Sequence, residues 1–134
     1  MYLLDTNIWL ERLLGQTNAE KVGALLDKIP ADQLYISDFS FHSICVILTR
    51  LGRPQLLTDF IDDVVVPGDI QVLAIPPDLI LQVLEAIDKF DLDFDDGYQY
   101  VIARQNELTI VTFDRDFDKT DLGRRTPAEI VAQA

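Results

Sequence analysis

The sequence predicts an α/β domain of three layers, α/β/α, built on a mainly parallel central sheet. Three observations carry this expectation. Short apolar or β-branched runs at Tyr2–Leu4, Leu34–Ile36, Ile70–Ile75 and Leu108–Thr112 alternate with stretches of helical apolar spacing, the pattern of a sheet covered on both faces. Acids follow the first and last runs directly, Asp5 after Leu4 and then Asp114 and Asp116 after Thr112. With 134 residues and 49% hydrophobic content, the chain has the size of one domain, taken as residues 1–134.

Each element has a local reason. Tyr2-Leu3-Leu4 is a short apolar strand ending in Asp5-Thr6-Asn7, and Ile8 to Leu14 reads as a short helix. Val22, Leu25, Leu26 and Ile29 form a helical stripe that Pro30 stops. Leu34-Tyr35-Ile36 is a second strand, with Ser37 or Asp38 placed to cap the helix that follows. On that helix Phe41, Ile44, Cys45 and Leu48 line one face, widened by Phe39 and Val46, until Gly52-Arg53-Pro54 breaks it. Leu56, Leu57, Phe60, Ile61 and Val64 mark the next helix, ending near Pro67-Gly68. Ile70 to Ile75 is a third strand. Pro76-Pro77-Asp78 opens a helix with Ile80, Val83, Leu84 and Ile87 on one side.

The late segment is the most informative. A helix is expected over Phe94–Gln105, because Phe94, Tyr98, Val101 and Ile102 fall on one stripe and Asp93 or Asp95 can cap it. Asn106-Glu107 breaks it before the strand Leu108–Thr112. The tail from Thr126 to Val131 reads as a final helix begun at Pro127. In parallel α/β sheets the binding crevice lies beyond the carboxyl ends of the strands. Asp5, Asp114 and Asp116 fall there, and Asp95 and Asp96 open a helix packed beside the same strands.

Composition narrows the chemistry. Net charge is −12, with 23 acidic against 11 basic residues, which opposes non-specific binding to nucleic acid. The one cysteine, Cys45, excludes an internal disulfide and fits a reducing, cytoplasmic setting. Neither a signal-peptide pattern nor a run of membrane-spanning length is present. A single histidine, His42, excludes a multi-histidine metal site, and there is no nucleophile-elbow, Walker or dinucleotide-binding motif. What remains is a set of hard oxygen donors: Asp5, Asp96, Asp114 and Asp116, with Asn7 and Thr112 near them. Such sets select magnesium or manganese. Two carboxylates ~6 Å apart repel by roughly 3 kcal/mol at an effective dielectric of about 20, so three or four together need raised pKa values or a divalent cation. A cation held in this way suits phosphodiester hydrolysis.

Other residues have plainer readings. Asp95 is expected as a helix cap, Cys45 as core, Trp9 and Tyr98 as packing residues, and His42 as an ordinary helix residue. Asp59, Asp62 and Asp63 form a solvated face. Arg115, Lys119, Arg124 and Arg125 gather directly after the acid pair and are candidates to grip phosphates, or else form an exposed basic turn. The apolar helical surfaces of Leu56–Val64 and Ile80–Ile87 suggest a homodimer.

Over almost its whole length the sequence resembles the PIN domain family, and most of all the endoribonuclease toxins of VapBC toxin–antitoxin pairs. The resemblance rests on Leu4-Asp5-Thr6-Asn7, on Asp95-Asp96-Gly97 opening a late helix, and on Ile110-Val111-Thr112-Phe113-Asp114-Arg115-Asp116-Phe117. It implies that Asp5, Asp96 and Asp114 bind metal and act in catalysis, with Asp116 as a fourth acid and Asn7 and Thr112 in support. It also implies cleavage of RNA with magnesium or manganese, dimers and a cognate antitoxin. The family pattern departs at one place. A glutamate usually stands on the helix after the second strand, in a frame like Ser-x-x-Thr-x-x-Glu; Ser37-Asp38-Phe39-Ser40-Phe41-His42-Ser43 matches the frame, with Ser43 at the glutamate position. Asp38, Glu11 and His42 are the candidates to compensate. The resulting expectation is a weakened metal-dependent ribonuclease, the alternative a PIN-like binding module without catalysis. Two other acid-crevice classes fit worse. A phosphatase with an aspartate nucleophile wants a second aspartate where Asn7 stands, and a receiver domain wants an acid where Pro76 follows Ile75.

Overall fold

Four short strands form one sheet in the order β3-β2-β1-β4, with all neighbours parallel. They are β1 (Tyr2–Leu4), β2 (Leu34–Ser37), β3 (Gln71–Leu73) and β4 (Thr109–Val111). The helices are α1 (Thr6–Leu13), α2 (Ala19–Lys28), α3 (Asp38–Arg50), α4 (Pro54–Phe60), α5 (Ile80–Phe90), α6 (Phe94–Gln105) and α7 (Pro127–Gln133). These come from a computed structural model that describes residues 1–67 and 69–134. The expected helix end at Gly68 lies outside the described residues.

Successive side chains of a strand point to opposite faces, and here that alternation divides the core in two. Leu4, Ile36 and Val111 join Ile8, Trp9, Val22, Leu25, Ile44, Leu48, Phe60 and Ile130 on one face. Leu3 and Ile110 join Val83, Ala86, Tyr98, Val101, Ile102 and Phe117 on the other. The layers are therefore α1–α4 with α7, the sheet, and α5 with α6, the three-layer arrangement expected. Full burial of each such aliphatic side chain contributes about 1.5–3 kcal/mol. Gly97 sets how closely α6 approaches α5. A Cβ there would lie 2.8 Å from Ile87 Cγ1 and 3.2 Å from Val83 Cγ1, so any larger residue would push the Asp96 end of the helix outward.

Several expectations change in detail. The third strand is only Gln71–Leu73, paired with Tyr35–Ser37. Ser37 ends β2 by capping α3, so the chain beyond Leu73 has no strand to pair with. Ile70 is buried in the core instead. Beyond Pro76-Pro77 a 3-10 turn at Pro77–Leu79 precedes α5. On α5, Leu84 faces solvent at 51% exposure while Val83 and Ala86 are buried. Phe94, the first residue of α6, is 43% exposed. Asp93, not Asp95, is the N-cap of α6. Cys45 is only half-buried, outside both core clusters. α4 runs on into a π turn at Ile61–Val65. Thr126 caps α7 through a reciprocal capping box with Glu129.

Candidate metal centre

Four segments meet beyond the carboxyl ends of β1 and β4. Asp5 leaves β1 and caps α1, accepting from the Thr6 N–H at 2.8 Å. Ser37 leaves β2 and caps α3, accepting from the Ser40 N–H at 2.9 Å. Asp93 accepts from the Asp96 N–H at 2.9 Å, which places Asp95 and Asp96 in the first turn of α6, where the helix dipole favours anions. After β4, Asp114 accepts from the Asp116 N–H at 2.9 Å and caps the 3-10 turn Arg115–Lys119. That local turn brings the two side chains round to the same side.

Asp5 is buried and held from three directions. Besides the Thr6 N–H, Gln99 Nε2 donates to its Oδ1 at 3.0 Å and the Thr112 hydroxyl donates to its Oδ2 at 2.9 Å. The Thr112 hydroxyl in turn accepts from Asn7 Nδ2 and from the Asp114 N–H, each at 3.0 Å. Asn7 Oδ1 accepts from the Phe113 N–H at 3.2 Å. The Ser40 hydroxyl accepts from Gln99 Nε2 at 2.6 Å and from the Thr6 hydroxyl at 2.9 Å. One hydrogen-bonded network thus orients Asp5 and ties it to the loop that carries Asp114.

Among the described residues, Asp96, Asp114 and Asp116 form a tight carboxylate group, with ligand oxygens all within 4.8 Å of one another. At that separation each charged pair repels by roughly 3.5 kcal/mol for an effective dielectric of about 20. Burial, and then the charges of Asp93, Asp114, Asp5 and Asp116, push the Asp96 carboxyl up to about 8. Burial also raises Asp5, outweighing its three hydrogen bonds, and raises Asp95, with help from Asp93 and Asp5. Asp96 Oδ2 is buried and has no hydrogen-bond partner among the described residues. A buried carboxyl with an orphaned oxygen, grouped with two further carboxylates, is the donor chemistry of a hard divalent cation, so the residues present fit such an ion.

Asp5, Asn7, Asp96, Asp114 and Ser43 line one cavity of 310 Å³ with Thr6, Gln99, Asp93 and Asp95. Asp116 completes the tight group from outside that lining, and Asp5 stands just outside the tight group. Ser43 does face the crevice. Asp38, Glu11 and His42 do not line it: Asp38 accepts from the Tyr98 hydroxyl at 2.8 Å, Glu11 accepts from Asn18 Nδ2 at 3.1 Å, and His42 is exposed. The basic segment is less free than its sequence suggests. Arg124 pairs with Asp118 at 3.1 Å and donates to the Thr112 carbonyl at 3.3 Å, and Lys119 pairs with Asp116 at 3.7 Å. The backbone of Arg125 joins the edge of β4. Arg115 is exposed. A second cavity, 350 Å³ between α5 and α6, holds Tyr100, Arg104 and Asp121, which satisfy one another: Tyr100 donates to Asp121 at 2.6 Å and Arg104 pairs with it at 2.7 Å.

Gln99 and Ser40 were missed by sequence reasoning. The signal for Gln99 was a polar residue three positions after Asp96 on a helix whose other inward positions are apolar. Ser40 left only its place in the Ser-x-x-Thr-like frame.

Fold and site together define an α/β protein with an oxygen-donor crevice at the carboxyl edge of a parallel sheet. The PIN domain model matches residues 2–122, and the chain belongs to that family. Its fold is similar to that of a toxin–antitoxin complex from Klebsiella pneumoniae (20% identity, 96% of this chain and 99% of that one, TM-score 0.76). It is similar to FitAcB from Neisseria gonorrhoeae (26% identity, 95% and 98% covered, TM-score 0.75). A sarcin–ricin-loop-cleaving VapC toxin of Mycobacterium tuberculosis is also similar (18% identity, 88% and 93% covered, TM-score 0.75). No curated protein matches the chain.

Proposed function

We propose that this protein is a metal-dependent endoribonuclease and the toxin of a toxin–antitoxin pair. The observation that carries the reading is the convergence of Asp96, Asp114 and Asp116 within 4.8 Å, with an unpartnered buried oxygen on Asp96. The ribonuclease class is supported by family membership and by the activity named for the mycobacterial relative. Asp96, Asp114 and Asp116 would hold Mg2+ or Mn2+, with Asp5 beside them. The ion, when bound, supplies charge neutralisation at a phosphoryl oxygen and acidifies a bound water. The chain's own part is positional. Thr112, Gln99 and the Thr6 N–H fix the Asp5 carboxylate, while the Thr112 hydroxyl and the Asp114–Asp116 turn fix the loop acids. Ribonuclease activity that appears with Mg2+ or Mn2+, vanishes in EDTA and is lost in Asp5→Asn and Asp96→Asn tests this. Equal cleavage by wild type and both variants would refute it.

The partners follow from charge and surface. An antitoxin segment with basic or apolar anchors complements an acidic crevice. Leu81 and Leu84 on α5, 67% and 51% exposed, are the apolar surface for a homodimer, whereas Leu56, Leu57 and Val64 are packed against the core. With Cys45 unpaired, the setting proposed is the cytoplasm. Among the described residues no helix is long and apolar enough to cross a membrane. One observation favours the second reading, a binding module with weakened or lost catalysis: Ser43 faces the crevice where the family pattern places a glutamate. Metal binding without turnover would select it.

A further inference from the structure

The crevice has two unlike walls. Acids from β1, α6 and the loop after β4 form one. The other is uncharged: Phe39, Ser43 and Ile47 recur every fourth residue along one stripe of α3, and Leu10 joins them from α1. Among the described residues no lysine or arginine lines this 310 Å³ cavity, and the chain carries a net charge of −12. Phosphate contacts alone therefore disfavour RNA here. Binding that tolerates such a field needs contacts with the bases, which aromatic side chains supply when the bases are unstacked.

We propose that Phe39, Leu10 and Ile47 receive one unstacked base of single-stranded RNA, next to the phosphodiester that faces Asp96 and Asp114. The inference deepens the ribonuclease reading and rests on it for the position of the phosphodiester. Phe39 is held for the task. Its ring lies 5.8 Å from that of Tyr98, and the Tyr98 hydroxyl and the Phe39 N–H both donate to Asp38 Oδ1 at 2.8 Å. Ser43, between Phe39 and Ile47 on the stripe, offers a hydroxyl donor and acceptor to a base edge. A base stacked in a duplex cannot enter this cavity, so the wall selects single strands.

The test pairs binding with cleavage. Binding of a short fluorescein-labelled single-stranded RNA, of its duplex and of a copy with one abasic nucleotide is measured by anisotropy in an Asp96→Asn background, which silences cleavage. Cleavage and Mn2+ affinity are measured without that change. Phe39→Leu stays apolar but removes the ring; Phe39→Tyr keeps the ring. Expected for Phe39→Leu is about tenfold weaker single-strand binding, the scale of one lost stacking contact. KM rises by a similar factor, while kcat and Mn2+ affinity are unchanged and Phe39→Tyr behaves as wild type. The abasic copy binds the Asp96→Asn protein more weakly but costs Phe39→Leu nothing further, and the duplex binds worst. Metal-dependent cleavage with no effect of Phe39→Leu or the abasic site overturns the wall and leaves the ribonuclease reading standing. Loss of Mn2+ affinity in Phe39→Leu also overturns the wall, since the ring then serves the metal site. Base-dependent binding that needs Phe39, in a wild type that cleaves nothing, upholds the wall and removes the ribonuclease reading.

Discussion

Asp96→Asn should stabilise the metal-free protein while abolishing its response to metal. The folded state raises the Asp96 carboxyl from 3.8 to about 8. At about 1.4 kcal/mol per unit, that shift sets an upper bound of ~4 kcal/mol of destabilisation at pH 7. Solvent screening of the neighbouring acids reduces this, and about 2 kcal/mol is expected. The sign follows from proton linkage. Between 3.8 and about 8 the folded chain holds a proton that the unfolded chain has released, so this group's contribution is best at low pH and is lost as pH rises through that window. Removing the charge removes the loss, and Asp96 Oδ2 has no hydrogen bond to forfeit. The assay is thermal unfolding in EDTA from pH 5 to 9, repeated with saturating Mn2+. Asp96→Asn should unfold about 6 °C above wild type near pH 8, with the gap closing toward pH 5, and Mn2+ should stabilise only wild type. A variant less stable than wild type in EDTA at pH 8, or a gap independent of pH, would refute the reasoning.

Proton and metal compete for the Asp96 carboxylate, so isothermal titration should show Mn2+ affinity rising with pH until about 8 and then levelling; a flat profile would count against Asp96 as a ligand. Ser43→Glu should tighten Mn2+ binding about tenfold and raise cleavage at limiting metal, since a carboxylate is a far better ligand than a hydroxyl; unchanged affinity in a folded protein would exclude this position from the metal. Arg124→Ala should cost about 1–2 kcal/mol in urea unfolding, because its guanidinium bonds the Thr112 carbonyl and Asp118. Arg115→Ala should leave stability intact and reduce the salt slope of RNA binding by about one unit, and an unaltered slope would remove Arg115 from the interface. Light scattering should show a dimer that Leu81→Lys with Leu84→Lys dissociates; a monomeric wild type at high concentration would remove the dimer.

The alternation of strands and helices was legible in the sequence because it is written in local periods and stops: Pro30, Gly52-Arg53-Pro54 and Asn106-Glu107 each end an element by backbone chemistry alone. The acids at the strand ends were legible for the same reason, since Asp5 and Asp114 follow β1 and β4 within a few residues. Tertiary structure decided which acids meet. Asp116 joins Asp96 through a turn capped by Asp114, while Asp5 is drawn back by Gln99 and Thr112 into a buried network. Those contacts link residues 94 and 107 positions apart along the chain, and no local period reports them. Packing also decided that Ser43 faces the crevice, that Arg124 is tied down, and that β3 stops at Leu73 for want of a partner beyond Ser37. In each case the outcome depends on how closely whole elements approach, as at Gly97 against Ile87, a distance set by the packed core and not by neighbours in sequence.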